Sequence, residues 1–453
     1  MKFGFLAHPT SRRGQAYVRA IDLMNKLIDE GEHGYRRETW QRSDQIPFFE
    51  AGVVRSLTGA ECGGLLYEFP LTAQEILKGV VAAQAAVVRA VNTLEAAGAD
   101  LVGLGGATSI VGGRGVVTQS EVSVPVTSGN SLTTFAAHAE LKHVMDVLGV
   151  APGQARVAVL GYPGSIALAI ARMLIADGVA VDLVHSGRSS EAILKRHLGD
   201  SWTGAELFSS VEPCYERDRL FVTATSSGDV IDEERLAPGS VVVDVALPRD
   251  VIRARRPRED VLTIDGGFVS ADPGVMLGAT LGGMTVSRHI NGCLAETVIL
   301  GLEGLVESYS IGRELPLDKV RRIGEIAAKH GFVPLPMSSW EEQIGDSDIE
   351  RLGRWWEAAA RPKTAAADIS AGMALERWKR FSDRLLVNHM RFNYIDVVLE
   401  HGRGCEVSSA EADYLDMDAG HGTAILGHDD PGVREAVLAH LNDSPVTAAT
   451  LCL

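Results

Sequence analysis

The sequence predicts an α/β protein built around a doubly wound parallel sheet. Between residues 154 and 270, short apolar runs that fit buried strands alternate with runs of helical character. This alternation is typical of a parallel sheet that is covered by helices on both faces. The segment Gly161-x-x-Gly164-x-x-Ala167 directly follows the first apolar run, which indicates a Rossmann-type dinucleotide site in this sheet.

Regions of different pattern flank this sheet, and 453 residues suffice for several domains. Strand-like and helix-like runs alternate before the sheet, and helices follow it. We therefore expect five segments: an α/β N-terminal substrate domain over 1–150, the Rossmann domain over 151–282, a helical segment carrying Cys293 over 283–335, a linker with one helical piece over 336–383, and an incomplete domain over 384–453.

The individual elements follow from hydrophobic periodicity and from glycine and proline breakers. Strands are predicted at 3–7 and 101–104 in the first domain, and in the sheet at 156–160, 179–184, 220–224, 241–245 and 261–264. Helices are predicted at 73–91, 131–148, 293–309 and 317–330.

The composition excludes several classes of protein. A formal net charge of −16 argues against nucleic acid or an anionic membrane as the main partner. No apolar run reaches the ~18 residues that a membrane-spanning helix needs. The N-terminal apolar run is too short for a signal peptide, and its arginines follow the run instead of preceding it. We expect a cytoplasmic protein without an integral membrane segment.

The cysteines are isolated thiols in the sequence. None of the five forms a CxxC pair, which argues against a disulfide framework and against a thiolate zinc site. No dense cluster of carboxylates or histidines at ligand spacing is visible, so no metal site is predicted. The five cysteines are Cys62, Cys214, Cys293, Cys405 and Cys452.

The glycine-rich turn has the residues that a bound dinucleotide requires. Gly161 permits a tight turn, and Gly164 allows the backbone to approach a pyrophosphate. Ser165 and Ile166 open the following helix, whose free N–H groups and positive dipole end suit phosphates. The alternative is a glycine turn in an α/β domain that binds nothing.

The choice of cofactor depends on the loop after the second strand of the sheet. This loop contains Ser186 and Arg188 and has no carboxylate before Glu191. A guanidinium with a neighbouring hydroxyl suits a 2′-phosphate, which favours NADPH, although a solvated loop arginine is the alternative. Thr225 and Ser226 follow a later strand and are expected to border the nicotinamide half.

Cys293 is the candidate nucleophile. It lies two residues after Asn291, a possible N-cap, so the start of a helix there favours its thiolate. Glu296 and the apolar residues around it have the opposite effect, because burial raises a thiol pKa. Composition alone therefore favours a buried structural cysteine.

Residues 1 to about 335 resemble the cyanobacterial-type long-chain acyl-(acyl-carrier-protein) reductases, which form fatty aldehydes. The resemblance implies that Cys293 is the acylated nucleophile, that NADPH is the reductant, and that the substrate is an acyl-carrier protein or acyl-CoA thioester. Between Ile110 and Thr127, Gly-Gly-Arg-Gly stands where the family is bulkier and more acidic. The matching segments are 3–11, 104–110, 127–131, 161–167, 293–296 and 323–332.

Polar residues after glycine turns complete this predicted site. The resemblance makes Thr108, Ser109 and Asn130 candidates for lining the acyl or nicotinamide pocket. Their uncharged hydroxyl and amide groups can donate hydrogen bonds to a developing oxyanion. Ordinary turn and cap chemistry is the alternative.

Residues from about 384 onward resemble the start of the class III pyridoxal-phosphate aminotransferases. No lysine follows Lys379, so the lysine that binds pyridoxal phosphate is missing. We expect that cofactor only in a complete aminotransferase domain, not in this chain, and a full-length fusion that is a homodimer through its aminotransferase part. The matching segments are 402–407, 414–422 and 426–437.

The predicted function is an NADPH-dependent reduction of an acyl thioester to an aldehyde. A fused aminotransferase then aminates this aldehyde or a product derived from it. Two alternatives stay open. One is an NADP-dependent dehydrogenase that acts on a free carbonyl or alcohol without covalent catalysis. The other is a non-catalytic NADP-binding module that docks carrier proteins.

Overall fold

The computed structural model divides the chain into two compact units, Met1–Arg361 and Pro362–Leu453. Each unit is described by itself below. The residues described are 1–8, 48–69, 71–185, 191–199, 205–278, 281–282, 288–360, 401–403, 406–408 and 413–415.

The first unit begins with a five-stranded sheet in the order β2-β3-β1-β4-β5. Strands β3, β1, β4 and β5 run parallel to one another, and β2 pairs antiparallel with β3. The strands predicted at 3–7 and 101–104 are present as β1 and β4. The strands are β1 (Lys2–Ala7), β2 (Phe48–Arg55), β3 (Glu61–Glu68), β4 (Leu101–Leu104) and β5 (Val126–Thr127).

The helix predicted at 73–91 is two helices in the structure, α1 (Ala73–Lys78) and α2 (Val80–Ala96). Gly79 separates them, because its φ of −120° and ψ of 45° interrupt the helical backbone. Thr72 starts α1 with a reciprocal capping box to Glu75. The short helix α3 (Val116–Glu121) and the long helix α4 (Asn130–Val147) follow.

The second sheet has six parallel strands in the order β13-β11-β9-β6-β7-β8. The chain enters at the centre, builds one half outward and then returns to build the other half, which confirms the predicted doubly wound Rossmann sheet. The strands are β6 (Arg156–Tyr162), β7 (Ala180–His185), β8 (Ala205–Phe208), β9 (Leu220–Thr223), β11 (Ser240–Asp244) and β13 (Val261–Asp265), with a separate pair β10 (Ile231–Asp232) and β12 (Val251–Ile252).

Helices cover this sheet because their apolar faces need a buried partner. Val157 and Val159 of β6 share one hydrophobic core with Leu168 of the following helix. Burial of such side chains stabilises the fold by ~1.5–3 kcal/mol each. The helices of this region are α5 (Ser165–Ala176), α6 (Glu191–Leu198) and α7 (Cys214–Arg217).

Part of the predicted linker at 336–383 is folded in the structure. Strands β17 (Met337–Ser339) and β18 (Glu342–Ile344) form a hairpin, and α10 (Asp346–Ala360) follows. Ile349 and Leu352 of α10 are buried in the core of the Rossmann sheet. Residues 337–360 therefore belong to the same unit as the sheet.

A small antiparallel sheet connects the Rossmann strands to the last helices, in the order β15-β14-β16. The helix predicted at 293–309 is α8 (Gly292–Glu303), which ends earlier because Gly304 adopts a left-handed cap with a φ of 73°. The helix predicted at 317–330 is α9 (Leu317–His330). The strands are β14 (Phe268–Ala271), β15 (His289–Asn291) and β16 (Phe332–Val333).

The second unit contributes three described strands, β19 (His401–Arg403), β20 (Glu406–Ser408) and β21 (Asp413–Leu415), which pair antiparallel in chain order. The remainder of the aminotransferase-like segment at 384–453 lies outside the described residues. None of the described helices combines the length and the apolar character needed to cross a bilayer.

A buried acidic cluster lies beside the Rossmann sheet. Asp182, Cys214 and Asp218 place ligand atoms within 4.8 Å of one another. Arg156 and Arg217 already pair with Asp182, at 2.6 and 3.0 Å. Burial, followed by the neighbouring Asp182 charge, raises the pKa of Asp218 to about 7. We interpret the cluster as an ion-paired carboxylate beside a protonated acid.

This cluster predicts a stability that falls with rising pH. The folded Asp218 keeps its proton up to about pH 7, whereas the unfolded residue loses it near its ordinary pKa of ~4. The free energy of unfolding should therefore decrease between these two pH values. At pH 8, urea denaturation should show that the free energy of unfolding of Asp218→Asn exceeds that of the wild type by ~1–3 kcal/mol. At pH 4 the two proteins should have nearly the same free energy of unfolding.

The exposed Asp229→Asn provides the matched control, since it removes a carboxylate without changing a buried pair. An Asp218→Asn effect of equal size at pH 4 and pH 8 would contradict the assignment of the buried proton.

Candidate active site

A cavity of about 300 Å³ lies between the two large sheets of the first unit. Its walls are segments that follow the carboxyl ends of parallel strands, which is where α/β sheets bind ligands. The start of α8, which carries Cys293, lines one side of the cavity. The wall segments lie after β4, β5, β6, β9, β11 and β13, and include Gly106, Ser109, Asn130, Gly161–Ile166, Thr225, Asp244, Gly267 and Cys293.

The glycine-rich turn forms the wall next to the start of α5. Gly161 has a φ of 102°, and a Cβ there would approach the Ala224 carbonyl oxygen to 2.5 Å. A Cβ on Gly164 would lie 2.8 Å from the Gly161 oxygen. Gly164 is also the N-cap of α5 and has no side chain with which to cap it. The turn is thus a backbone cradle, and its residues fit a bound pyrophosphate.

Ser165 and Ile166 also line the cleft, as expected for the start of the dinucleotide helix. Ser186 and Arg188, which are predicted to contact a 2′-phosphate, lie outside the described residues.

A buried carboxylate holds the loop that carries Thr225 and Ser226. Asp250 accepts hydrogen bonds from the Thr225 backbone N–H at 2.9 Å and from the hydroxyls of Thr223 and Thr225. Thr225 and Ser226 both line the cleft. The Thr225 hydroxyl is therefore engaged in shaping the loop.

Cys293 is the second residue of α8, and its side chain lies on the cleft wall. It is partly exposed, whereas Cys62 and Cys214 are buried. Burial raises the pKa of the Cys293 thiol to about 11, opposed by hydrogen bonds from the backbone N–H groups of Gly106, Leu294 and Cys293 itself. The thiol is protonated at neutral pH, and its surroundings contain three donors for a negative sulfur.

The start of α4 packs directly on Cys293. Gly129, the N-cap of α4, has a φ of 73°, and a Cβ there would lie 2.1 Å from the Cys293 Cα. No other residue fits this contact, and a glycine has no side chain with which to cap the helix. The cap is supplied by Glu296 of α8, whose carboxylate accepts the Leu132 backbone N–H at 2.8 Å.

Glu296 also accepts hydrogen bonds from the hydroxyls of Thr127 and, at 2.7 Å, of Ser310. The Ser310 hydroxyl in turn accepts the Ser131 backbone N–H at 3.1 Å. Glu296 is fully buried, and burial raises its pKa in spite of these donors. The sequence identified Glu296 only as a residue that opposes the thiolate; its capping role becomes visible in the structure.

The predicted oxyanion residues differ in their positions. The Thr108 hydroxyl is buried, donates to the Gly105 carbonyl at 2.7 Å, and is not part of the cleft wall. Ser109 lines the cleft, and its hydroxyl donates to the Gly106 carbonyl at 2.7 Å. Both bonds are the turn chemistry expected as the alternative, so a catalytic role for these hydroxyls stays a prediction.

Asn130 joins the two walls of the cleft. Its side-chain amide donates to the Ser165 hydroxyl at 3.0 Å, which connects the first residues of α4 and α5. An asparagine amide has two donors, so this bond leaves one N–H for another acceptor. The structure thus brings Cys293, Ser109, Asn130 and the glycine turn to one cleft.

Two further residues, His8 and Glu140, position the turns around the thiol. His8 accepts the Ala107 backbone N–H at its Nε2 atom, at 2.7 Å, and so supports the turn whose Gly106 N–H reaches Cys293. Buried Glu140 accepts the Gly267 N–H at 3.1 Å, and Gly267 accepts the N–H of Gly292, beside Cys293. An acidic residue on an apolar helix was the available signal for Glu140.

Removal of the Glu296 carboxylate should destabilise the protein. Glu296→Ala leaves the Leu132 N–H and the Thr127 and Ser310 hydroxyls without their acceptor, so we expect the free energy of unfolding to fall by ~3–5 kcal/mol. Glu296→Gln keeps an acceptor oxygen and should cost less. Urea denaturation measures both, with the exposed Glu307→Ala as control; equal stability of Glu296→Ala and Glu307→Ala would contradict the capping role.

The raised pKa of Cys293 predicts its reactivity toward an alkylating reagent. Because the thiolate is the reactive form, the rate of Cys293 modification by iodoacetamide should rise about tenfold per pH unit between about pH 7 and pH 10. Peptide mass spectrometry gives the rate for each cysteine, and buried Cys62 and Cys214 serve as internal controls. A rate that levels off near pH 7 would contradict the raised pKa.

No family model matches this chain. Over 463 aligned positions it is 41% identical to Aminotransferase PigE of Serratia sp. (strain ATCC 39006). The alignment covers 98% of this chain and 54% of PigE. The chain thus spans about half the length of this curated relative. Likeness to aminotransferases was predicted for 384–453 alone, whereas the likeness to this protein covers nearly the whole chain.

A second relative is the Long-chain acyl-[acyl-carrier-protein] reductase of Synechococcus elongatus, 26% identical over 352 residues, with 74% of this chain and 99% of that protein covered. Among solved structures, L-tryptophan dehydrogenase from Nostoc punctiforme aligns over 80% of this chain and 90% of its own, at 12% identity and a TM-score of 0.32. A score of this size carries no argument about activity. The chain is therefore similar both to a protein named as an aminotransferase and to one named as a long-chain acyl-[acyl-carrier-protein] reductase.

Proposed function

We propose that the first unit is an NADPH-dependent reductase that converts an acyl thioester to an aldehyde through an acyl group on Cys293. The observation that carries this proposal is that one cleft contains both a cysteine thiol and a turn suited to a dinucleotide. The Cys293 thiol lies on its wall together with the glycine turn at Gly161 and Gly164. The likeness to the Synechococcus reductase over nearly the whole length of that protein supports the same reaction.

The glycine turn and the start of α5 are the proposed cofactor site. Gly161, Gly164, Ser165 and Ile166 would hold the pyrophosphate, and Thr225 and Ser226 would border the nicotinamide half. We propose that Ser186 and Arg188 bind the 2′-phosphate. NADPH, when bound there, supplies the hydride that reduces the acyl group.

In the acylation step, the Cys293 sulfur attacks the thioester carbonyl carbon. A new carbon–sulfur bond forms, the bond to the carrier sulfur breaks, and the carrier leaves as a thiol with the proton that Cys293 gives up. The starting thiol is protonated, since burial raises the pKa of Cys293 to about 11. The proton lost by one sulfur is thus gained by the other, and no free thiolate needs to accumulate.

The charge that develops on the carbonyl oxygen needs donors in the cleft. Asn130 has a second amide N–H beside the one bonded to Ser165, and it is our candidate for this oxyanion. Removing one such donor typically slows acyl transfer by ~10²–10³-fold. When the aldehyde departs, the negative charge returns to the Cys293 sulfur, where the N–H groups of Gly106 and Leu294 stabilise it.

For the whole protein, we propose that the aldehyde passes to a fused aminotransferase. The proposal rests on the order of the two resemblances and on the likeness to PigE, of which this chain spans about half. Pyridoxal phosphate would be bound by the complete aminotransferase domain. The substrates would be acyl-carrier protein or acyl-CoA thioesters, and the full-length protein would dimerise through the aminotransferase part.

Intact-protein mass spectrometry tests the covalent step. Incubation with a panel of acyl-CoA thioesters without NADPH should add one acyl mass to the wild type and to the Cys62→Ala control, and none to Cys293→Ala. Thioester reduction should fall in Cys293→Ala by at least ~10³-fold, because the nucleophile is lost. Full activity of Cys293→Ala would overturn the mechanism in favour of a dehydrogenase without covalent catalysis.

A further inference from the structure

We propose that Arg114, with Arg313 beside it, forms a phosphate-binding subsite at the edge of the cleft. The inference rests on the proposed thioester chemistry and names the part of the substrate that is recognised. A thioester on a pantetheine arm has a phosphate at the far end of that arm, in acyl-carrier proteins and in CoA alike. The backbone, the charge and the position of Arg114 each support the assignment.

The backbone of Arg114 is held in an unfavourable conformation. Its φ of 62° lies in the left-handed region, between Gly113 at 63° and Gly115 at 81°. A residue with a Cβ is disfavoured in this region, so glycine would be the stable choice. The Gly312 N–H donates to the Arg114 carbonyl at 2.8 Å and holds this turn against the loop that carries Arg313.

The charge of Arg114 has no acidic partner in the described part of the chain. Its guanidinium is only partly exposed and lines the cleft, yet none of the hydrogen bonds or ion pairs between described residues involves its side chain. Burial and the like charge of Arg313 both lower the pKa of Arg114. A partly buried cation beside a second cation is unfavourable unless an anion binds between or beside them.

The position of Arg114 favours a phosphate on the thiol carrier. Arg114 lies on the cleft wall formed by the first domain, together with Ser109 and Gly106, whose N–H reaches Cys293. The cofactor turn at Gly161 lies on the other wall and has its own anion site at the start of α5. Leu77 and Ile110 line the cleft on the Arg114 side and offer an apolar surface to the arm or to the acyl chain.

The experiment compares two thioesters of the same acyl group. Acyl-CoA has the phosphates, and the acyl-N-acetylcysteamine thioester lacks them. Arg114→Gly removes the guanidinium and suits the left-handed backbone, so the variant should fold at least as well as the wild type in thermal unfolding. Arg313→Ala tests the second cation, and the exposed Arg256→Ala is the matched control.

The experiment measures the acylation of Cys293 in the absence of NADPH. Mass spectrometry detects the acylated protein at a series of thioester concentrations. For Arg114→Gly we expect the half-saturating concentration of acyl-CoA to rise ~10–100-fold, as expected for a lost charge-assisted hydrogen bond. Arg313→Ala should give a smaller rise. The effect should be confined to the thioester with phosphates, and Arg256→Ala should match the wild type.

The dissociation constant of NADPH, measured by its fluorescence, identifies the source of the phosphate. A weaker NADPH affinity in Arg114→Gly, with both thioesters unaffected, would assign the subsite to the cofactor and overturn the carrier assignment. Unchanged values throughout, or equal weakening of both thioesters, would overturn the phosphate subsite itself. If no thioester acylates the wild-type protein, the proposed function fails, and the NADPH measurement alone decides whether Arg114 binds phosphate.

Discussion

The contact between Gly129 and the backbone of Cys293 is the constraint on which the rest of the site depends. Because no side chain fits at Gly129, α4 cannot cap its own first turn. The acceptor must come from the facing helix, and Glu296 provides it from one turn beyond the cysteine. Burial between the two helices raises the pKa of the Cys293 thiol, and the charge of the nearby Glu296 acts in the same direction. The protonation state of Cys293 is thus a consequence of helix packing.

The acidic residues around the cleft serve a similar purpose, since they organise loops through backbone N–H groups. Asp250 shapes the loop after β9, Asp244 accepts the N–H groups of Ala246 and Val251, and Glu140 holds the turn at Gly267. Burial raises the pKa of each of these three acids, for Asp244 to about 7. Asp244 lines the cleft and is partly protonated near neutral pH, so it repels an anionic ligand less than a fully ionised acid would.

The sequence predicts best those parts in which burial leaves a local pattern. Strands β6 and β11 are buried on both faces and read as apolar runs, and the glycine turn follows β6 directly. The edge strand β8 has no such run, and the apolar residues of α10 are dispersed among charges. The cap on α4 could not be predicted, because its donor and acceptor residues are 164 positions apart. Cys293 and several residues of its cleft were identifiable as candidates, whereas the packing of Gly129 on Cys293 and the capping by Glu296 were not.

The Gly129 contact also offers a way to recognise this arrangement in other sequences. A cysteine near the start of a helix is common and says little about chemistry. A glycine that opens one helix, combined with a cysteine that opens a second and an acid three residues later, describes two helices that share a single cap. Two members of the trio follow from the packing: the glycine from the closeness of the second helix, and the acid from the side chain that the glycine lacks. Genomes can therefore be searched for the helix pair itself, independently of how the remaining residues of the cleft have diverged.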